Sequence, residues 1–203
     1  RLNERVLCEQ LQVSRTPLRE AIKELAGQHL VTLSPHRGAA VACLSIQDVH
    51  DLFELMGALD GLSGELAAVR ATAAERSEIQ ALHFDMLAAH ARQDLPAYYR
   101  ANKAIHDAIN LAAHNPVLTQ SYRSVNERIQ HLRYRSNTDR IKWNEAVADH
   151  EQMIQALMQG NGARLRSILE AHLHAKLLAV DVVAERDPNE KPVHQPSSQS
   201  TTV

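Results

Sequence analysis

The chain has 203 residues, a mass of 22.6 kDa and a formal net charge of -2, with 44% hydrophobic and 23% charged residues. That length suits one medium domain or two small ones. The composition excludes a chain disordered throughout, and the charge gives no global attraction to nucleic acid or membrane. Aromatics are only 3%, with 7 Gly and 7 Pro. This argues against a β-rich domain and, with abundant Ala, Leu, Glu, Gln and Arg, predicts a mostly helical protein. Two cysteines, Cys8 and Cys43, cannot build a disulfide framework, which fits a reducing cytosol. No apolar run approaches the roughly 18 residues of a membrane span. Histidine is the outlier, at 12 residues.

Residues 1–30 read as two short helices. Val6, Leu7 and Leu11 form the apolar stripe of the first, with helical spacing. The run Val13-Ser14-Arg15-Thr16-Pro17 breaks it. Thr16 is the expected N-cap of the second helix, with Pro17 at its first position. Leu18, Ile22 and Leu25 then supply the stripe, and Gln28-His29 ends it. Leu30–Leu33 and Ala39–Ala42 read as short strands around the turn Ser34-Pro35-His36-Arg37-Gly38. Helix, turn, helix and hairpin together spell a winged helix-turn-helix over residues 1–44.

Beyond Ser45-Ile46-Gln47-Asp48, a capping-box start, every segment to about Val183 reads as helix. Caps and breakers at Thr72 with Glu75, Asp94 with Pro96, Asn115-Pro116 and Gly160-Asn161 mark the joints. They predict helices over 46–70, 73–92, 95–113, 116–136, 142–159 and 162–185. Short loops between amphipathic helices imply an all-α antiparallel bundle over residues 45–185. The tail 186–203, with Pro188, Pro192, Pro196 and a Ser/Gln run, is expected to be disordered.

A helix-turn-helix reads the major groove with the first turn of its second helix. Here that turn carries Ser14, Arg15, Thr16 and Arg19, and the two arginines share a face at i, i+4. Arginine can grip guanine or phosphate bidentately. Arg5 lies one helix earlier, and Arg37-Gly38 sits at the wing tip, where a side chain can enter the minor groove. The alternative is plain surface charge, because residues 1–44 hold six Lys/Arg against four Asp/Glu.

Three histidines stand apart from the rest. His106 follows Asn102 by one turn, His150 opens an apolar helical run, and His172 follows Ile168 by four residues. Inward histidines from facing helices can bind a divalent metal, with zinc or nickel suited to neutral imidazole. Each could instead be an ordinary core or surface histidine. His83, His90, His114, His131, His174 and His194 show no pairing logic in the sequence.

The run from Leu2-Asn3-Glu4-Arg5 through Val13–Ala21 and Leu30-Val31 to His36-Arg37-Gly38 resembles the DNA-binding half of the GntR superfamily of bacterial regulators. The resemblance implies that Arg5, Arg15, Thr16, Arg19 and Gly38 contact DNA. It also implies a further helix before Leu2, so the chain is expected to begin in mid-domain. Residues 45–178 resemble the FCD ligand-binding domain of the FadR subfamily. The features are Asp48–Ala68, Asn102 with His106, Asn115–Leu118, Asp149-His150 with Ala156, and Ala163 through His172. That likeness implies that Asn102, His106, His150 and His172 hold a divalent metal, with a small carboxylate completing its coordination. Two positions depart from the pattern. Met56 stands where an effector-facing Arg is usual, and Asn102 stands where an acidic ligand is more common.

A carboxylate effector also wants a cation. Arg133, four residues after Ile129, and Arg135 are the two candidates among the basic residues 123–142. The sequence therefore leads to a cytoplasmic, homodimeric transcription regulator, read as a repressor. Its partners are double-stranded operator DNA, a divalent metal and a small organic acid, and it has no membrane role. Two alternatives stay open. One is a metal-dependent hydrolase or isomerase using the three histidines. The other is a regulator whose histidines are purely structural.

Overall fold

The computed structural model describes residues 1–35, 38–135 and 140–186, with the side chains of 131, 133–135, 140–142 and 179–186 outside that description. The described chain forms two compact units, one over Arg1–Gln47 and one over Asp48–Glu185.

The first unit runs α1 (Glu4–Leu11), α2 (Arg15–Gly27), β1 (Val31–Ser34) and β2 (Gly38–Val41). The Asn3 side chain accepts the backbone N–H groups of Arg5 and Val6 at 3.2 and 3.3 Å, which caps α1. The helix stops at Gln12, whose φ of 54° is left-handed. The expectation for α2 needs correction: it starts at Arg15, with Ser14 in the N-cap position, so Thr16 is inside the helix. Pro17 is then its third residue. It fits because the N–H groups of a first helical turn have no intrahelical partner to lose. Leu18, Ile22, Val31 and Ala39 are buried together, with Leu2, Leu7, Cys8 and Ala26 packed around them.

β1 and β2 pair antiparallel, Val31 opposite Val41 and Ser34 opposite Gly38. Each strand sits one residue closer to the turn than expected. Gly38, at φ +77°, takes a conformation open to glycine and joins the ladder directly. His36 and Arg37 lie outside the described residues.

The second unit is α3 (Ile46–Arg70), α4 (Ala73–Ala91), α5 (Leu95–Ala112), α6 (Pro116–Arg135), α7 (Arg140–Met158) and α8 (Gly162–Arg186). The joints form where the sequence marks them. Thr72 and Glu75 make a reciprocal capping box at the start of α4. Asp94 accepts the Ala97 N–H at 2.9 Å, Asn115 that of Leu118 at 3.2 Å and Asn161 that of Arg164 at 3.1 Å. Past 186 the expected tail lies outside the described residues.

The core of this unit gathers Ala67, Met86, Tyr98, Ile105, Ile109, Met153, Leu157, Leu165 and Leu169, all buried. α3 and α8 approach closely because α3 presents glycines to α8. A Cβ on Gly64 would lie 2.8 Å from Leu165 Cγ, and one on Gly61 2.8 Å from Glu170 Cγ. Arg70 donates to the Ala113 carbonyl at 2.9 Å, and Arg76 donates to the carbonyls of Ala68, Ala71 and Leu157. These arginines satisfy carbonyl groups that helix ends leave open. Among the described residues, no helix is long and apolar enough to cross a membrane.

Candidate metal centre and DNA-reading face

α5, α7 and α8 each send one histidine to a shared point. His106, His150 and His172 are buried, and one donor atom from each lies within 4.8 Å of the others. The ring centroids are 4.9 to 5.6 Å apart. Each helix delivers its imidazole through its packed face. His106 lies between Ile105 and Ile109, His150 precedes Met153 and Ile154, and His172 follows Leu169 by three residues, all of these buried.

The three rings are oriented alike. Nδ1 of His150 lies 2.7 Å from the Ala146 carbonyl oxygen, which can only accept, so Nδ1 carries the proton. Nδ1 of His172 lies 2.9 Å from Asp149 Oδ2, and Nδ1 of His106 lies 3.1 Å from Asp60 Oδ2. His150 and His172 are thus hydrogen-bonded on the δ side, whereas His106 faces the Asp60 carboxylate at ion-pair distance without completing a hydrogen bond. The ε nitrogens of His106 and His150 are buried and make no hydrogen bond, and neither does Asn102 Oδ1. Asn102 is itself buried, one turn before His106 on α5.

Three buried, converging imidazoles, with a buried amide oxygen one helical turn before His106, suit the donor set of a zinc- or nickel-type ion. Burial, followed by the neighbouring His106, holds the His150 imidazole well below its ordinary range. A neutral ring is the form that binds metal.

Three nearby groups had no role in the sequence reading. Asp60 of α3 is fully buried against His106. Its sequence signal is a carboxylate on the stripe Met56, Ser63 and Ala67, which is buried at helical spacing. Lys176, one turn beyond His172, is a buried cation whose charge acts on both Asp149 and His150. His83 is buried with Nε2 2.9 Å from Glu151 Oε2. The last corrects the view that the other histidines lack pairing. His90 stacks edge-on against Trp143 and meets Asn144 at 2.9 Å, and His114 meets Glu75 at 3.2 Å. These partners lie far off in sequence, so only the fold pairs them. His174 is exposed, while His194 and the side chain of His131 lie outside the described residues.

Met56 is fully buried. The side chains of Arg133 and Arg135 lie outside the described residues.

In the first unit, Arg15 opens α2 and is exposed, as are Ser14 and Thr16. Arg19 is also exposed, and its Nε meets Glu4 Oε2 at 2.9 Å. Arg5 lies 4.0 Å from Glu9. Gly38 is exposed at the start of β2. The i, i+4 face of Arg15 and Arg19 therefore forms at the N-terminal end of the second helix of the helix-turn-helix.

The two parts of the chain are thus a small winged helix-turn-helix unit and a separate helical unit with a buried histidine cluster. The family described as "Bacterial regulatory proteins, gntR family" matches residues 1–41, and the FCD domain matches residues 51–175. The "Nta operon transcriptional regulator" of Aminobacter aminovorans is 31% identical over 154 residues, covering 75% of this chain and 69% of that protein. The "Probable D-xylose utilization operon transcriptional repressor" of Paenarthrobacter nicotinovorans is 26% identical over 178 residues, covering 88% of this chain and 78% of that one. The solved structure titled "E. coli McbR/YncC" shares the fold, with a TM-score of 0.78 at 19% identity over 90% of this chain and 87% of that one. The chain belongs to the GntR family of bacterial transcriptional regulators, in the branch that carries an FCD domain. It is a DNA-binding transcriptional regulator, and the metalloenzyme alternative gives way to that finding.

Proposed function

We propose that this regulator is a cytoplasmic homodimeric repressor that senses a small organic acid through a metal centre. The DNA reader is assigned to residues 1–44, the sensor to 45–185 and a tail to 186–203. In the reader, Arg5, Ser14, Arg15, Thr16, Arg19, Arg37 and Gly38 face the operator. In the sensor, Asn102, His106, His150 and His172 would hold a divalent ion, zinc or nickel by the chemistry of the donors. Bound there, the ion would act as a Lewis acid toward a ligand carboxylate.

The observation that carries this reading is the convergence of three buried histidines, with the δ nitrogen of each turned outward to a partner. Packing alone gives no reason for that shared orientation. A carboxylate effector needs a positive environment. Arg133 and Arg135 remain the candidates from the sequence, and Lys176 is a further buried cation close to Asp149 and His150. Repression as the sign is supported by the name of the Paenarthrobacter relative. The coupling between effector and DNA need amount to only about 1–3 kcal/mol to switch operator occupancy.

The test is metal analysis of untagged protein, combined with operator binding in the presence of candidate organic acids. Wild type should carry close to one equivalent of ion and release DNA when the right acid is added. His150→Ala should lose the metal and the response while still binding operator. Wild-type protein that neither contains nor takes up zinc or nickel would overturn the metal-sensing part and favour structural histidines.

A further inference from the structure

We infer that Asp60 is a positioning residue of the three-histidine centre: its carboxylate holds the His106 ring so that Nε2, not Nδ1, is offered to the ion. The inference rests on the metal reading above and names a residue outside the ligand set.

Asp60 sits on the buried face of α3 with Met56, Ser63 and Ala67 and, among the described residues, is the one charged residue on it. Its side chain has no exposure, and that of His106 is only 1% exposed. A carboxylate at such a depth is costly unless it meets a proton donor or a cation. Oδ2 lies 3.1 Å from His106 Nδ1. Neither ring nitrogen of His106 completes a hydrogen bond, but Nδ1 is the one that faces the carboxylate, and a proton held there leaves the lone pair of the neutral ring on Nε2. Asp60 is absent from the group of mutually close donors, so it stands behind the ring rather than among the ligands.

At the other two rings the δ nitrogen is hydrogen-bonded, to the Ala146 carbonyl at His150 and to Asp149 at His172. Outer partners of this kind fix the tautomer and orientation of ligating imidazoles and raise their basicity. Charge gives a second reason for Asp60. Three imidazoles and the Asn102 amide are all neutral, so they offset none of a divalent ion's charge. Asp60 places a carboxylate 3.1 Å behind the His106 ring, in a fully buried position where a charge is weakly screened. Asp149 does the same behind His172, but its side chain is 34% exposed. The centre thus takes a divalent cation on neutral donors, with its counter-charge held in the next layer.

The test uses the full-length chain loaded with Co2+, with affinity read by competition against a chromophoric chelator and geometry read from the visible absorption of Co2+. Asp60→Asn should bind Co2+ roughly ten- to a hundred-fold more weakly than wild type, with a shifted absorption band. Asp60→Glu should recover part of the affinity. Melting of each metal-free variant reports whether the fold survives. Asp60→Asn with wild-type affinity and an unchanged band would overturn the inference. His150→Ala in the same titration separates the two readings. If it loses Co2+ while Asp60→Asn does not, only the role of Asp60 falls. If wild type and His150→Ala behave alike, the metal reading falls, and this inference with it. Should Asp60→Asn fail to fold, nitrogen shifts of His106 in the wild-type protein decide. Nδ1 protonated, with Nε2 shifting on addition of Zn2+, supports the role, and the reverse pattern overturns it.

Discussion

Arg15 and Arg19 share a face, but the structure gives them unequal surroundings. Arg15 is exposed at the first position of α2, whereas Arg19 reaches back to Glu4 of α1 at 2.9 Å. An exposed pair of this kind adds little stability, because water and salt screen it. Arg15→Ala and Arg19→Ala should therefore leave the melting temperature nearly unchanged. Each should weaken operator binding by about 1–3 kcal/mol through loss of a base or phosphate contact. Titrating both variants against the cognate operator at fixed salt checks this, and unchanged affinity for both removes the recognition-helix assignment. Residue identity made these positions readable, because arginine at the start of a recognition helix has few other uses. The pairing of Arg19 with Glu4 was not readable, because it joins residues on two helices whose crossing the sequence does not state.

Among the elements, α4 owes its start to a local device. Thr72 Oγ1 accepts the Glu75 N–H at 3.2 Å, and the Glu75 carboxylate accepts the Thr72 N–H at 2.8 Å. Those bonds to Thr72 hold the Glu75 carboxyl below its ordinary value of 4.5. Because the folded value is depressed, its contribution to stability is present above pH 4.5 and is lost as pH falls through the folded value. Glu75→Gln should accordingly be less stable than wild type at pH 7, and the gap should close in acid. Denaturant melts at several pH values test this; a gap independent of pH would contradict it. Thr72→Ala should cost about 1 kcal/mol at neutral pH.

The contact of α3 with α8 depends on missing side chains instead. A Cβ on Gly64 would lie 2.8 Å from Leu165 Cγ. Gly64→Ala gains helix propensity, but overpacking of this kind typically costs about 1–3 kcal/mol. A lowered melting temperature is therefore expected, and a raised one would show that α8 can move aside. The helix boundaries were legible because caps are local. The use of Gly61 and Gly64 was not, since glycine within a helix reads equally well as a weak point.

For the whole molecule, two measurements matter. A chelator should lower the melting temperature, because an ion that binds only the folded state stabilises it by mass action, about 2.7 kcal/mol at a hundred times its dissociation constant. Identical melts with and without chelator would speak against a resident ion. Sedimentation should give a homodimer, the symmetry that two-fold operators require of their readers. Monomer alone at micromolar concentration, with and without DNA, would count against it.

The sequence by itself determined the winged helix-turn-helix, the order and ends of the bundle helices, and three histidines on helices that could face one another. Those features follow from periodicity, caps and family resemblance, which are local or carried residue by residue. Tertiary structure decided that the three rings converge to centroid distances of 4.9 to 5.6 Å. It alone brought Asp60 to His106 across 46 residues of chain and Glu151 to His83 across 68. Helix periodicity says which face of a helix is buried, but not which helix that face meets. Partners on different helices become visible only once the bundle is packed.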